Sequence, residues 1–176
     1  MTEIILETAR LFLRPWRADD FEAYARLCAD PEVMRFLGES KPFSRLEAWR
    51  SMATHIGHWH LLGYGHWVVV EKATGEWVGR LGFLFPEGWP GFELGWTLRR
   101  ESWGNGYATE GARRALDYAF REMGRDHVIS LIRPDNLRSI RVAERLGERP
   151  EGKIEFLEKE ALVYGIDRGR WSARIE

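Results

Sequence analysis

A glycine-rich turn lies between an apolar, strand-like segment and a helix-like segment near the middle of the chain. Its residues are Trp103, Gly104, Asn105, Gly106, Tyr107 and Ala108, after a strand predicted over 92–98. Backbone N–H groups at the start of a helix have no helical carbonyl to bind, and the helix dipole adds partial positive charge there. The turn therefore predicts a binding site for a phosphate or pyrophosphate group.

Two common phosphate-binding loops do not fit this turn. A mononucleotide P-loop requires a lysine after its last glycine, whereas Tyr107 follows Gly106. A dinucleotide fingerprint requires Gly-x-Gly-x-x-Gly in a βαβ unit, but Gly104, Gly106 and Gly111 have another spacing, and the preceding strands are linked as a hairpin. A tight loop that uses glycine for positive φ remains the alternative at this point.

The spacing of hydrophobic residues along the sequence predicts helices and strands on both sides of the turn. Their order indicates an α+β, or mixed α/β, domain with one central sheet. Strands are predicted over 11–16, 66–71, 76–85, 92–98 and 127–132, with weaker ones near 152–158 and 161–167. Capping boxes at 19–22, with Asp19 as N-cap, and at 44–47 begin two early helices, the second of which reaches about residue 60. Later helices are predicted over about 107–123 and 136–146. The predicted order is β, α, α, β, β, β, α, β, α, β, β.

Length and composition are those of an ordinary globular protein. The 176 residues predict a single domain over 1–176, with 44% hydrophobic and 30% charged residues. A formal net charge of −1 gives no indication of a nucleic-acid or membrane-surface partner. The single cysteine, Cys28, excludes an intramolecular disulfide and a multi-cysteine metal site. We expect a cytoplasmic protein, because no signal-like segment opens the sequence and no apolar run approaches the ~20 residues that cross a bilayer.

A second motif follows the strand predicted at 127–132. Asn136 and Ser139 open the short helix there, with Asn136 placed to cap it. Together, segments 103–110 and 133–147 make the chain resemble the GNAT superfamily of N-acetyltransferases. Segment 7–16 is similar to the branch that contains the ribosomal-protein alanine N-acetyltransferases. The resemblance covers nearly the whole chain.

The turn departs at one position from the pattern of the family it resembles. That pattern is Arg/Gln-x-x-Gly-x-Gly/Ala, and here Trp103 takes the first position while Gly106 and Ala108 take the last two. One cation or amide near the phosphates is therefore replaced, and the backbone amides of about 104–108 are left to bind them. The resemblance fits the ribosomal-protein branch here as well, since tryptophan is common at this position in that branch.

The resemblance implies a mostly antiparallel, twisted central sheet flanked by about four helices, with its fourth and fifth strands splayed apart. Acetyl-CoA is the implied co-substrate, with its pyrophosphate at the turn and its pantetheine arm along the edge of the preceding strand, as an added strand would lie. A strand N–H would polarise the acetyl carbonyl. The implied cofactor-binding residues are Trp96, Thr97, Leu98, Trp103, Gly104, Asn105, Gly106, Tyr107, Ala108, Asn136 and Ser139.

Acetyl transfer to an amine requires a neutral attacking amine and a proton for the leaving thiolate. The resemblance makes Glu93 the candidate base, acting directly or through water, and Ser139 the candidate acid. Asn136 is expected to orient the pantetheine amides, and Tyr107 is a second, less favoured acid. The alternatives are that Glu93 is a solvated or ion-paired strand residue, that Ser139 binds only backbone or CoA, and that Asn136 is only an N-cap.

The acceptor side is expected in segment 36–65, with Trp59, His60 or Tyr64 lining its entrance. We expect no metal there, although four histidines lie at 55, 58, 60 and 66, because residues two apart on a helix point away from each other.

The leading function is direct transfer from acetyl-CoA to a primary amine in a ternary complex, without a covalent intermediate on the distant Cys28. A non-catalytic acetyl-CoA-binding or interaction module is the alternative. A protein N-terminus, an aminoglycoside, a polyamine and an amino acid remain open as acceptors. The resemblance also allows a homodimer.

Overall fold

The structure is a computed structural model that describes residues 4–173. Its strands are β1 (Leu6–Glu7), β2 (Leu11–Arg14), β3 (His66–Glu71), β4 (Trp77–Leu84), β5 (Glu93–Leu98), β6 (His127–Ile132), β7 (Arg149–Phe156) and β8 (Lys159–Asp167). They form one sheet in the order β1-β2-β3-β4-β5-β6-β8-β7. All neighbouring pairs are antiparallel except β5 and β6, which are parallel. The predicted mixed α/β class and mostly antiparallel sheet are confirmed.

The described residues contain six helices, two more than expected. They are α1 (Phe21–Ala29), α2 (Pro31–Met34), α3 (Arg45–Leu62), α4 (Tyr107–Arg121), α5 (Leu137–Leu146) and α6 (Arg168–Ser172). The two unpredicted helices, α2 and α6, have four and five residues, and the unpredicted β1 has two. Elements this short contain too few residues to show a hydrophobic period.

Helices cover both faces of the sheet. Helices α4, α5 and α6 pack on one face, and α1 with α3 packs on the other. Small residues hold α4 close to the sheet, since a methyl group added at Gly111 would lie 2.5 Å from Cδ2 of Leu81. This close packing fixes the start of α4 against the end of β5, where the glycine-rich turn lies.

Most predicted helix ends are confirmed. Ser44 and Glu47 form the capping box of α3, in which the Ser44 N–H donates to Oε2 of Glu47 at 2.7 Å. Asn136 caps α5 by accepting the Ser139 N–H at 3.2 Å. Gly147 ends that helix with φ +89°. Local sequence signals therefore place both α3 and α5 correctly.

The predicted capping box at 19–22 is wrong. The N-cap of α1 is Asp20, not Asp19, and a short 3-10 turn precedes it. The Asp20 carboxylate is buried, pairs with Nη2 of Arg14 at 2.6 Å and accepts the Arg17 N–H at 2.7 Å. A buried guanidinium–carboxylate pair therefore determines where this helix begins, and the local capping pattern does not show it.

The predicted splay of two central strands is confirmed. Strand β5 pairs with β4 along its whole length, but it pairs with β6 only at Glu93 and Ile129. Beyond that point β6 pairs with β8 alone. These are the fourth and fifth predicted strands, renumbered because β1 adds one. A gap therefore opens beside residues 95–98, next to the glycine-rich turn. Within residues 4–173, no helix has the length and apolar character needed to span a bilayer.

Candidate active site

The glycine-rich turn presents unfilled backbone donors. Gly104 and Gly106 have φ of +81° and +78°, in the left-handed region that favours glycine. Gly106 is the N-cap of α4, and the first helical bond there runs from the Glu110 N–H to its carbonyl at 3.0 Å. The N–H groups of 107–109 therefore lack a partner within the helix, which creates a site for an anionic group.

A cavity of about 420 Å³, the turn cavity, opens at this point. Its wall includes Trp96, Thr97, Leu98, Trp103, Gly104, Gly106, Tyr107, Ala108, Asn136 and Ser139. The structure thus brings together every predicted cofactor-binding residue except Asn105. The Asn105 side-chain amide instead donates to the Ser102 carbonyl at 3.4 Å.

Three arginines of α5 also line the turn cavity and were missed by the sequence analysis. Arg138, Arg141 and Arg145 are spaced three and four residues apart, which puts them on one face of the helix. The Arg138 guanidinium stacks 4.1 Å from the ring centroid of Trp103, whose indole N–H donates to the Leu98 carbonyl at 2.9 Å. The helical spacing of these cations was the signal that would have revealed a positive rim.

The side chain of Tyr107 contacts strand β3 and not the start of α5 at Asn136 and Ser139. Its hydroxyl donates to Oε1 of Glu71 on β3, and the Arg10 guanidinium lies 4.7 Å from its ring centroid. The bond to Glu71 raises the pKa of Tyr107. The hydroxyl is therefore bonded to β3 and not to the segment around Ser139.

A second cavity of about 300 Å³, the sheet cavity, lies on the face of the sheet that α1 and α3 cover. Glu93, Gly95, His66 and Arg80 contribute to its wall. Six residues line both cavities, namely Phe36, Leu37, Trp96, Thr97, Asn136 and Ser139. The two cavities therefore meet at the splay of β5 and β6. A ligand in one cavity can reach a ligand in the other there.

Glu93 supplies a carboxyl group to the sheet cavity. Burial raises the pKa of Glu93 to about 6, against an ordinary value of 4.5. Hydrogen bonds from the Trp89 indole N–H, at 2.5 Å, and from the Leu131 backbone N–H act in the opposite direction, because they favour the charged form. The carboxyl group therefore changes charge close to neutral pH, as a general base must.

Two buried histidines stack beside this carboxyl group. The ring centroids of His55 and His66 are 5.0 Å apart, and burial lowers the pKa of both well below the ordinary value. Nη1 of Arg80 contacts Nδ1 of His66. A guanidinium only donates, so Nδ1 accepts and Nε2 of neutral His66 carries the hydrogen. Among residues 4–173, no group of three or more His, Cys, Asp or Glu side chains could hold a metal ion.

Cys28 also reaches the wall of the sheet cavity, despite its distance from the motifs in sequence. It lies on α1 and is 1% exposed. Burial raises the pKa of the Cys28 thiol, so the group stays protonated and is a poor nucleophile.

The structure places the residues predicted for the acceptor entrance near the end of α3 and just beyond it. Trp59, His60 and Tyr64 line neither cavity. The Trp59 indole N–H donates to the His66 carbonyl at 2.9 Å, and Tyr64 packs edge-to-face on Phe92 with centroids 5.1 Å apart. Trp59 and Tyr64 therefore pack toward the core, whereas His60 and Leu61 at the end of α3 are exposed. The earlier part of the segment, 36–43, contributes wall residues instead.

Comparisons with known proteins agree with this arrangement. The family model described as an acetyltransferase (GNAT) domain matches residues 10–149. The chain is 36% identical over 189 residues to FsC-acetyl coenzyme A-N(2)-transacetylase of Aspergillus fumigatus, covering 94% of this chain and 77% of that protein. It is 33% identical over 167 residues to the uncharacterized protein YkkB of Bacillus subtilis, covering 93% and 94%.

Solved structures give the same result. An acetyltransferase from Agrobacterium tumefaciens strain C58 superposes with a TM-score of 0.82 at 32% identity, covering 94% of this chain and 95% of that one. Mycobacterium smegmatis RimJ, solved with CoA-disulfide, shares the fold with a TM-score of 0.76 at 20% identity, over 98% and 93% of the chains. The family match and these relatives establish that the chain belongs to the GNAT acetyltransferase family.

Proposed function

We propose that this GNAT acyltransferase moves the acetyl group of acetyl-CoA to a primary amine by direct attack in a ternary complex. The observation that carries the proposal is the meeting of the two cavities at the splay of β5 and β6. A thioester in the turn cavity and an amine in the sheet cavity would face each other beside Thr97 and Ser139.

The turn cavity has the donors that acetyl-CoA requires. The free N–H groups at the start of α4 suit the pyrophosphate, and the arginines of α5 suit further phosphate charge. The open edge of β5 at Trp96 and Thr97 can pair with the pantetheine amides, while the Leu98 carbonyl already accepts the Trp103 indole. When bound, acetyl-CoA supplies the activated acyl group.

Glu93 is the base in this proposal. With a pKa of about 6 it is mostly ionised at pH 7 and can take a proton from the attacking amine, directly or through a water molecule. Backbone N–H groups of β5 beside the splay can stabilise the charge that develops on the acetyl oxygen. The half-buried position of Glu93 keeps this proton transfer away from bulk solvent.

Ser139 is the acid that gives a proton to the leaving thiolate. Its backbone N–H is held by the Asn136 side chain, which fixes the first turn of α5 at the junction of the cavities. Asn136 lines both cavities as well and can orient the pantetheine amides while it caps the helix.

Release of free thiol from acetyl-CoA with a panel of amines tests this function. We expect release with at least one amine, and a loss of about 100-fold or more in kcat for Glu93→Gln at unchanged CoA affinity. Ser139→Ala should lower kcat about tenfold, a larger effect than its effect on CoA binding, to which the backbone amides of the turn contribute most. Tight CoA binding without thiol release for any amine would instead support the non-catalytic alternative.

A further inference from the structure

Arg80 brings an unpaired cation to the sheet cavity. No carboxylate lies within ion-pair distance of its guanidinium in the part of the chain that the structure describes. Its Nη1 contacts His66, and its Nε is buried without a hydrogen-bond partner. Removing a guanidinium from bulk water costs free energy unless an anion pairs with it. The charge of Arg80 reaches the Glu93 carboxyl group, where it partly opposes the rise in pKa that burial causes. None of the described carboxylates is close enough to pair with the guanidinium, which is therefore available to an anionic group of a ligand.

The strand register places Arg80 and Glu93 on the same face of two adjacent strands. Arg80 on β4 lies opposite Thr97 on β5, and Gly82 lies opposite Gly95. Residues opposite each other, and alternate residues along a strand, share a face. Glu93 therefore shares this face, four residues along β5 from the position opposite Arg80. These backbone positions are about 13 Å apart, but the side chains are close enough for the charge of Arg80 to oppose the rise in the pKa of Glu93 that burial causes. Gly95, which lines the sheet cavity, forms the floor between the carboxyl group and the guanidinium.

A buried donor also points to this floor. His66 is 2% exposed, and its Nε2, which carries the hydrogen, has no partner. A methyl group added at Gly95 would lie 3.4 Å from Nε2 of His66 and 4.0 Å from Oε1 of Glu93. The floor therefore has an unpartnered N–H on one side and the Glu93 carboxyl group on the other.

The rest of the wall selects a small, mostly apolar ligand. It includes Leu27, Met34, Phe36, Phe43, Leu84 and Phe156. The volume of about 300 Å³ is at the small end for pockets that bind small molecules. The charged residues on the wall are Arg80, Arg133 and Glu93, since burial keeps His55 and His66 neutral. This balance is unfavourable for a polycation.

We propose that the acceptor is a small amine that carries a carboxylate, namely an α-amino acid with an apolar side chain. Its carboxylate pairs with Arg80 and its amine faces Glu93. In the step, the neutral amine nitrogen bonds to the acetyl carbon as the C–S bond breaks. The amine proton passes to Glu93, the thiolate takes the Ser139 proton, and solvent restores both side chains. This inference rests on the proposed acetyl transfer and narrows its substrate class.

Three amines that share a benzyl group test the inference. Phenylalanine carries a carboxylate, phenylalaninamide carries a neutral amide instead, and 2-phenylethylamine carries neither. With saturating acetyl-CoA, we expect kcat/KM for phenylalanine to exceed the other two by about 10- to 100-fold, as one charge-assisted pair provides. Arg80→Gln should reduce that preference to within about threefold while leaving CoA affinity unchanged. Arg133→Gln is the matched control and should keep the preference, because Arg133 is held by the carbonyls of Phe156 and Glu160.

A binding measurement keeps the inference separate from turnover. Calorimetric titration of each amine into protein saturated with CoA should show phenylalanine binding about tenfold or more tightly than its amide. Gly95→Ala should weaken that binding without unfolding the protein, since its methyl group meets only ordinary contact distances.

Thiol release with polyamines or with phenylalaninamide in preference to phenylalanine would overturn the inference and leave acetyl transfer standing. If no amine is acetylated, the calorimetric titration still tests whether the sheet cavity binds an amino acid through its carboxylate. A preference for phenylalanine that Arg80→Gln abolishes supports the inference, and equal or absent binding of the acid and the amide overturns it.

Discussion

If Glu93 is the base, as proposed, its hydrogen bond with the Trp89 indole should set the pH at which activity is lost. Burial raises the pKa of Glu93 to about 6, and the Trp89 bond of 2.5 Å partly opposes that rise. A hydrogen bond to a charged group contributes about 1.5–3 kcal/mol, and 1.36 kcal/mol corresponds to one pKa unit. Trp89→Phe removes the bond and keeps an aromatic ring against Phe156, so the pKa of Glu93 should rise to about 7–8.

The pH dependence of kcat/KM provides the assay. In the unmodified protein, the ionised fraction of Glu93 falls about tenfold between pH 7 and pH 5. At pH 6.5, Trp89→Phe should reduce kcat/KM by about 3- to 25-fold, and above pH 9 the two proteins should differ little. The acceptor amine titrates identically in both experiments, so the difference between the profiles isolates the enzyme group.

Two results would refute this reasoning. One is a Trp89→Phe profile that falls uniformly at all pH values, because a general loss of packing and not the carboxyl group would then be responsible. The other is a Glu93→Gln variant that retains the same acid limb as the unmodified protein, which would assign the titration to a different group.

Three further outcomes follow from the structure. Gly106→Ala should weaken CoA binding at least tenfold in a calorimetric titration. Gly63→Ala, with a similar φ of +75° at the C-cap of α3 and outside both cavities, should cost about 1 kcal/mol of stability without affecting CoA. Burial raises the pKa of Glu148 to about 8, above its unfolded value, so the free energy of unfolding should fall as pH rises from about 4.5 to 8. In urea denaturation, Glu148→Gln should show a smaller fall over this pH range. An equal fall in both proteins would contradict the assignment to Glu148. Gly111→Val should destabilise the protein by several kcal/mol in the same assay, because its first methyl group would already lie 2.5 Å from Leu81, and a neutral effect would show that α4 can shift freely.

The parts of the site that the sequence predicted are those determined by local signals. The turn at 103–108 and the Asn136–Ser139 helix start each depend on glycine, cap and neighbouring residues within a few positions. Their meeting in one cavity follows from the order of strands in the sheet. These local signals sufficed to place the two motifs, whereas the splay beside 95–98 was predicted from the resemblance to the GNAT superfamily.

The sheet cavity was predicted only in part, since the resemblance pointed to Glu93 but no local signal joined it to Arg80 and His66. Arg80, His66 and Glu93 come from three strands, and they share a face only because of how those strands are registered. A shift of one residue would send each side chain to the opposite face. The same limit applies to Trp59 and Tyr64, whose packing toward the core is a tertiary effect.

A structure of the protein with CoA and an acceptor amine tests the central claim most directly. We expect the pyrophosphate on the backbone amides of 104–108, the sulfur at the shared wall beside Thr97 and Ser139, and the amine in the sheet cavity facing Glu93. A CoA molecule bound in the turn cavity with its sulfur directed away from that shared wall, so that no amine near Glu93 could reach it, would contradict direct transfer at the junction of the two cavities.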